Sequence, residues 1–342
     1  MSHRVAYVLV KIIVMRENVE SFALAILGRF SHLVLMTALL TCAGTTESRE
    51  VTTISVPGGR IDVLFADGRD TVFTQKDLLA WVRVASTSVS TYFGRYPVPR
   101  VTVRVTTTDG IGVHHGRTVG SPTALILISI GRDTTKQDLE ADWTMTHEMV
   151  HLAFPSVPDK HHWIEEGIAT YVEPISRVQA GTLHLSKMWS DVVRDLSQGL
   201  PAPGDHGLDV THTWSRTYWG GALFCLLADV QIHQRTHNKI GLQDALRGIL
   251  YAGGNVTEDW PLERALKIGD QATGTTVLED LYRQMKDKPV SVDLASMWRE
   301  LGIRRSQNGD VSFNDHAPLA SVRKSITADR NSRESPRSTL SD

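Results

Sequence analysis

The sequence is poor in cysteine, nearly balanced in charge, and without a long apolar run. Two cysteines in 342 residues are too few for a disulfide scaffold or a four-thiolate zinc site. The 36 basic and 38 acidic residues give a formal net charge of −2, whereas a general nucleic-acid binder carries a basic face or tail. Hydrophobic and charged contents of 41% and 22% exclude a wholly disordered chain, and the length allows one large domain or two modest ones.

A segment near the N-terminus has the order of a secretory signal. Arg29 precedes a short apolar run over 33–40, and small residues follow that run. The run is too short to cross a bilayer, which takes about 20 apolar residues. Thr41 and Ala43 fit the −3 and −1 positions of a cleavage site, so residues 1–43 are predicted to be an N-terminal extension and signal segment. We therefore expect an exported protein, periplasmic or secreted.

Two other readings of the N-terminus would attach the protein to a membrane. Cys42 follows Leu-Leu-Thr and could be a lipidated cysteine, although bacterial lipoprotein signals usually have Gly, Ala or Ser before the cysteine. Alternatively, the N-terminal segment stays uncleaved as an anchor. Loss or lipidation of Cys42 would leave Cys225 alone in an apolar stretch, where a small buried side chain is expected. No intrachain disulfide would then be available.

The part of the chain over 44–135 is predicted to be rich in β-strands. Its signals are apolar alternation, turn residues at Pro57-Gly58-Gly59, and one segment with helical spacing. We predict strands over 51–56, 60–65, 100–106 and 124–130, a helix over 76–93, and a glycine-rich loop over 110–120.

The part over 136–305 is predicted to be helical. A helix start is expected at Thr135, because threonine can cap a helix and Asp138 favours its first turn. Apolar helical segments follow near 163–173, 184–196, 218–234, 241–250, 261–268, 275–286 and 293–301. Residues 306–342 are rich in Ser and Arg and have no aromatic after Phe313, so most of that segment is predicted to be a disordered tail. The fold class is therefore α+β.

One motif indicates metal chemistry. His147, Glu148 and His151 form H-E-x-x-H inside a predicted helix that follows a buried strand. Residues four apart share a helix face, so both imidazoles can bind one ion, and Glu148 can take a proton from a metal-bound water. These three letters arise by chance in roughly a few per cent of chains, so the motif alone is suggestive.

Catalytic zinc takes three protein ligands and keeps one position open, so a third ligand is needed besides the two histidines. Glu165 and Glu166 are the candidates, and they lie about 100° apart on one predicted helix, so both cannot face the ion equally. The alternative is that both glutamates are a solvated helix start. Thr170 shares the face of Glu166, and its hydroxyl could orient a histidine ligand.

At this point the sequence resembles the glutamate zincins, the thermolysin-like metallopeptidases, and most closely their aminopeptidase-N and glycyl-aminopeptidase branches. Their second motif, W-x-x-E-G-[FI]-A-x-Y, matches residues 163–171. In that motif the Glu before Gly is the zinc ligand, which corresponds to Glu166 here. The resemblance covers about residues 90–250. It implies a zincin-like fold, with a small twisted sheet packed on the H-E-x-x-H helix and then a mostly helical lobe, and one zinc ion per chain.

A third segment of the same branches, Y-x-x-G-[AG], resembles residues 218–222. The resemblance implies that Tyr218 donates a hydrogen bond to the oxyanion formed during peptide hydrolysis, a preorganised contact that lowers the barrier strongly. The alternative is an aromatic anchor at a helix start, with Gly220 and Gly221 present for close packing.

One departure concerns substrate recognition. Aminopeptidase N has a G-x-M-E-N segment whose Glu holds the free amine of the substrate, and this chain has no such segment before Thr146. The predicted loop with His114 and His115 occupies the comparable place. If the strand over 124–130 is the sheet edge that pairs with an extended substrate, either histidine could line the cleft. Equally, both could be loop residues without a role.

The sequence therefore predicts an exported zinc metallopeptidase acting on peptides or proteins, with Glu148 as the general base. Its preference for chain ends or internal bonds stays open. Two alternatives remain, an inactive zincin-fold protein with a binding or envelope role, and a zinc hydrolase of a non-peptide amide. Retention of Glu148 argues against the first, because a structural metal site needs no base. Nothing in the sequence separates peptide from non-peptide amides.

Overall fold

The computed structural model describes residues 51–65 and 70–329. The predicted signal segment and lipidated Cys42 lie outside these residues. In the described part of the chain, no helix combines the length and apolar character that a membrane crossing requires.

The β-rich part forms one mixed sheet of five strands in the order β1-β2-β3-β5-β4. The strands are β1 (Val51–Val56), β2 (Gly59–Phe65), β3 (Arg100–Thr108), β4 (Val113–Val119) and β5 (Leu125–Gly131). The three central strands run parallel, and the outer strands β1 and β4 pair antiparallel with their neighbours. The predicted strands are confirmed, with β3 and the hairpin strand β2 slightly longer than expected.

Local chemistry accounts for these elements. Gly58 adopts the left-handed conformation, with φ 89°, that the turn between β1 and β2 requires. Alternate residues of β3 are buried, as its apolar-polar alternation predicts. The predicted helix over 76–93 is α1 (Gln75–Phe93), which begins with a reciprocal capping box between Thr74 and Asp77. Its buried face joins the same core as the sheet.

The predicted loop over 110–120 is wrong, because it contains strand β4. This strand covers β5, so the strand over 124–130 is not the edge of the sheet. The sequence of β4 carries no strand signal, because it has two histidines, a glycine and an arginine and no apolar alternation. The pairing with β5 and the packing on the metal-motif helix hold it in place.

The helical part follows the predicted segments within a few residues. The helices are α2 (Lys136–Ala141), α3 (Thr144–His151), α4 (His162–Gln179), α5 (Leu185–Asp195), α6 (Gly221–Arg235), α7 (Leu242–Tyr251), α8 (Leu262–Thr273), α9 (Val277–Met285) and α10 (Leu294–Glu300). A π-helical turn, Arg216–Gly220, leads into α6. Helix α3 packs against β4, α1 and α4, which places the H-E-x-x-H segment between the sheet edge and the helical lobe.

The prediction of a disordered tail from residue 306 is wrong for the part that the structure describes. Strand β6 (Ile303–Arg305) pairs with β7 (Val311–Phe313), and helix α11 (Ala320–Thr327) follows. Arg323 is one of the residues that hold this basic segment in place. Its buried guanidinium donates to the carbonyls of Leu301 and Gly302 and lies over the Phe313 ring. Residues 330–342 lie outside the described residues.

Candidate metal centre

Three side chains from two helices converge at the start of the helical lobe. His147 and His151 on α3 and Glu166 on α4 each offer a ligand atom, and these atoms all lie within 4.8 Å of one another. Glu166 Oε2 is 3.2 Å from His147 Nε2 and 3.6 Å from His151 Nε2. His147 and Glu166 are buried, with 4% and 8% of their surfaces exposed. The two histidines lie on one helix face, as the i, i+4 spacing predicts.

These donors fit a zinc ion. Two imidazoles and one carboxylate form a ligand set that zinc takes in catalytic sites, with bonds of about 2.0–2.2 Å. Tetrahedral ligands at that range lie about 3.3–3.5 Å apart, close to the nitrogen–oxygen distances of 3.2 and 3.6 Å found here. The pattern of three ligands leaves one position for water or substrate.

Glu165 does not compete for this position. One of its oxygens accepts from the Val157 backbone N–H at 3.0 Å, and the other lies 2.8 Å from His162 Nδ1. The second ring nitrogen of His162 is 3.3 Å from Glu166 Oε1, the oxygen that does not contact His147. His162 therefore contacts both carboxylates and holds the Glu166 carboxylate in one orientation.

Charges in the cluster act on one another strongly. Burial opposes the charged form of His151, but the adjacent carboxylate of Glu166 outweighs it and raises the pKa of His151 to about 9. Burial likewise opposes the charge on Glu166, yet His151 and His147 hold the pKa of that carboxyl well below its usual range. Hydrogen bonds to Glu165 and Glu166 raise the pKa of His162 to about 10. Without a metal, the site therefore keeps a carboxylate with cationic partners.

Glu148 is buried beside the ligands, and strand β4 shapes its surroundings. The hydroxyl of Thr118 lies 2.7 Å from Glu148 Oε2 and 2.8 Å from the Glu148 carbonyl oxygen, and it can donate to either. A Cβ at Gly116 would lie only 2.7 Å from Glu148 Oε1, so the glycine leaves room for the carboxylate. The negative charge of Glu148 contributes to the raised pKa of His151, as expected for a neighbouring group.

Tyr218 lies in the π-helical turn, next to the metal ligands. Its ring is stacked on that of His147, with centroids 6.2 Å apart and planes 15° from parallel. A Cβ at Gly221 would lie 2.6 Å from Gly167 Cα and 2.1 Å from the Trp163 carbonyl oxygen, so the two helices α4 and α6 touch through glycine. This contact sets the distance between the helix that carries the third ligand and the turn that carries Tyr218.

The remaining predicted site residues lie less centrally. Thr170 is half-buried, and its hydroxyl makes no hydrogen bond to His147 or His151 within the described residues. His114 and His115 are exposed on β4. The His114 ring contacts its own loop, through Thr108 Oγ1 at 2.9 Å and the Ile111 carbonyl oxygen at 3.1 Å. No contact joins either exposed histidine to the metal ligands among these residues.

Sequence reasoning missed two residues that shape the site, Gly116 and Thr118, and placed His162 only at the surface or around the ligands. Gly116 and Thr118 belong to the strand that was expected to be a loop, so their contact with Glu148 had no sequence signal. His162 had one, because it precedes Glu166 by four residues and therefore shares its helix face.

Similar chains are found among solved structures. No protein-family model and no curated protein matches the chain. The solved structure of an aminopeptidase N family protein from Idiomarina loihiensis is similar with a TM-score of 0.54 and 12% identity, covering 75% of this chain and 49% of that one. An M1 zinc metallopeptidase from Deinococcus radiodurans matches with a TM-score of 0.46 and 15% identity, covering 71% and 54%. The chain thus spans about half the length of these structures. The similarity to the Idiomarina protein confirms the expected α+β, zincin-like fold.

Proposed function

We propose that this chain is a zinc metallopeptidase that hydrolyses peptide bonds. The observation that carries the proposal is the convergence of His147, His151 and Glu166, with Glu148 beside them on the same helix as both histidines. The fold that the chain shares with an aminopeptidase N family protein supports this reading. Neither the fold nor the ligand set identifies a substrate, so the choice of peptides rests on the resemblance of the motifs.

In this proposal His147, His151 and Glu166 hold one zinc ion, and His162 orients Glu166. A zinc ion bound there would supply Lewis acidity and lower the pKa of a water molecule toward neutrality. His147 and Glu166 are buried and His151 is partly buried, which limits contact with bulk water and strengthens electrostatic interactions at the site.

Glu148 is the proposed general base. Its carboxylate takes a proton from the attacking water and later passes it to the leaving amine. The hydroxyl of Thr118 donates to the carboxylate and holds it in position. The absence of a side chain at Gly116 leaves room for the carboxylate there. A binding protein that only kept the metal would have no need for this arrangement.

Tyr218 is the proposed donor to the oxyanion. Its stacking on His147 keeps the ring next to the ligands, and the glycine contact between α4 and α6 fixes the backbone that carries it. A preorganised donor of this type contributes roughly 3–4 kcal/mol to transition-state stabilisation in hydrolases.

We further propose that the protein is exported, because residues 29–44 have the order of a secretory signal. Mass spectrometry of the protein recovered from its natural host would test this. Cleavage after Ala43 would support export in free form, and a lipid on Cys42 would indicate membrane attachment. An intact N-terminus in the membrane fraction would indicate the uncleaved anchor, and an intact N-terminus in the cytosol would contradict export.

The experiment that tests the enzymatic proposal is a peptide-library digest with metal analysis of the same sample. We expect about one zinc per chain, cleavage that stops on chelation, and recovery when zinc is restored. A zinc-loaded protein that cleaves no peptide would contradict the proposal. Hydrolysis confined to non-peptide amides would assign the same site to the alternative hydrolase.

A further inference from the structure

Two exposed tryptophans border the candidate metal centre. Trp143 and Trp214 leave 50% and 45% of their surfaces exposed. Among the described residues, no other tryptophan belongs to the exposed large apolar side chains. Large aromatic side chains are normally well buried, and exposed apolar surface at a cleft marks a binding site more often than scattered exposed side chains do.

Both tryptophans contact aromatic rings of the site. The Trp143 ring meets the His147 ring edge-on, with centroids 5.2 Å apart and planes at 84°. The Trp214 ring is stacked on Tyr218, with centroids 5.4 Å apart and planes at 24°. Since Tyr218 is stacked on His147, these four side chains form a continuous aromatic row, with a half-exposed tryptophan at each end.

We propose that this aromatic row is a substrate subsite that selects peptides with an aromatic side chain next to the scissile bond. The inference rests on the proposed peptidase function, because it assigns the substrate class of that same site. The row includes a metal ligand and the proposed oxyanion donor, so a ring on Trp143 lies next to His147 and a ring on Trp214 lies next to Tyr218. A flat ring can lie against the exposed tryptophan surfaces in the offset or edge-on arrangements that aromatic pairs prefer.

The structure favours this role over a purely structural one. A tryptophan that only shielded His147 would be covered by other side chains, whereas half of Trp143 is open to solvent. Trp214 is stacked on Tyr218, and Tyr218 is in turn stacked on His147. Each half-exposed tryptophan offers about 100 Å² of mainly apolar surface. Covering about 55 Å² of such surface is worth about a factor of ten in affinity.

The test compares peptides that differ in one side chain. Two sets of alanine-based heptapeptides, with free and with acetylated N-termini, carry a single Phe, Leu, Ala or Glu at successive positions. For zinc-loaded wild type we expect kcat/KM to be about tenfold or more higher with Phe than with Ala at one position flanking the cleaved bond. Trp143→Ala and Trp214→Ala should each lower the ratio of kcat/KM for Phe over Ala peptides about three- to tenfold, because only the Phe ring loses the covered tryptophan surface.

Controls separate the possible outcomes. Tyr251→Ala removes an exposed aromatic ring whose cation partner is Arg95, away from the metal ligands, and it should keep the wild-type preference. Trp143→Phe and Trp214→Phe should restore part of the preference if the alanine variants fold poorly. Zinc content should stay unchanged in all of these variants.

Four results would overturn the inference. Cleavage with equal kcat/KM for Phe and Ala peptides, or a Phe preference that survives loss of both tryptophans, leaves the peptidase function intact and removes the subsite. Loss of zinc in the tryptophan variants, together with an equal decrease in kcat/KM for every peptide, indicates that the tryptophans have a structural role. If zinc-loaded wild type cleaves no peptide of either set, the proposed function fails and the inference falls with it.

Discussion

The position of Glu148 is expected to depend on the absence of a side chain at residue 116. In Gly116→Ala, the added Cβ would lie 2.7 Å from Glu148 Oε1 and 2.7 Å from Thr144 Cγ2, where ordinary contacts begin at 3.4 Å. The carboxylate must therefore move by about 0.7 Å, the difference between those distances. It cannot swing freely, because Thr118 donates a hydrogen bond to it. A misplacement of about 1 Å costs roughly 100-fold in rate, so we expect kcat to fall about 10- to 100-fold.

The assay measures kcat, zinc content and thermal stability of Gly116→Ala in parallel. Gly116 does not adopt the left-handed conformation, so alanine fits the strand backbone, but the close contact with Thr144 Cγ2 should lower stability by about 1–3 kcal/mol, the usual cost of overpacking. Zinc content should match wild type, because Glu148 is not a ligand. Thr118→Val should give a similar, milder loss of kcat, and Thr118→Ser should retain activity. Wild-type kcat in Gly116→Ala would refute the idea that β4 positions the base.

Three further predictions concern the ligands, the oxyanion donor and pH. Glu166→Ala should lower zinc affinity, measured by chelator competition, by much more than the 10- to 100-fold typical of a lost outer contact, and Glu165→Ala should stay within that range; the reverse order would reassign the ligand. Tyr218→Phe should lower kcat about 100- to 1,000-fold at unchanged zinc content, and unchanged kcat would move the oxyanion role elsewhere. Burial raises the pKa of Glu173 from 4.5 to about 7, so its contribution to stability is lost as the pH rises through that window. The melting temperature should therefore fall over the window in wild type and less in Glu173→Gln, and equal slopes would contradict this.

The parts of the site that follow a helix period could be predicted from the sequence. The spacing of His147 and His151 fixes a shared helix face, and the structure brings both near Glu166. The choice of Glu166 over Glu165 came from a resemblance, and the contacts of Glu165 with Val157 and His162 give it a physical reason.

Strand β4 could not be predicted, because its pairing depends on β5 and on the packing of α3. Its residue types suit their contacts with Glu148, because Gly116 leaves room for the carboxylate and Thr118 donates a hydrogen bond to it. Such a sequence has no apolar alternation, so it resembles a loop until its neighbours are known. Tertiary context also orders residues 303–327, where Arg323 is held by backbone carbonyls far from it in sequence.

The aromatic row could not be predicted from the sequence either. Trp143 and Trp214 are 71 positions apart in the sequence, and only the meeting of α3 with the π-helical turn brings both next to His147 and Tyr218. Before the fold is known, an isolated tryptophan reads as a core residue. Its exposed surface and its neighbours are what suggest a binding role.

The central claim is that this chain uses a zinc centre and Glu148 to hydrolyse peptides. The most direct test measures zinc content and peptide hydrolysis side by side in wild type and Glu148→Gln, which keeps the size of the side chain and removes the base. We predict one zinc per chain in both proteins, hydrolysis by wild type, and a loss of hydrolysis in the variant. Equal hydrolysis by both proteins at equal zinc content would contradict the account.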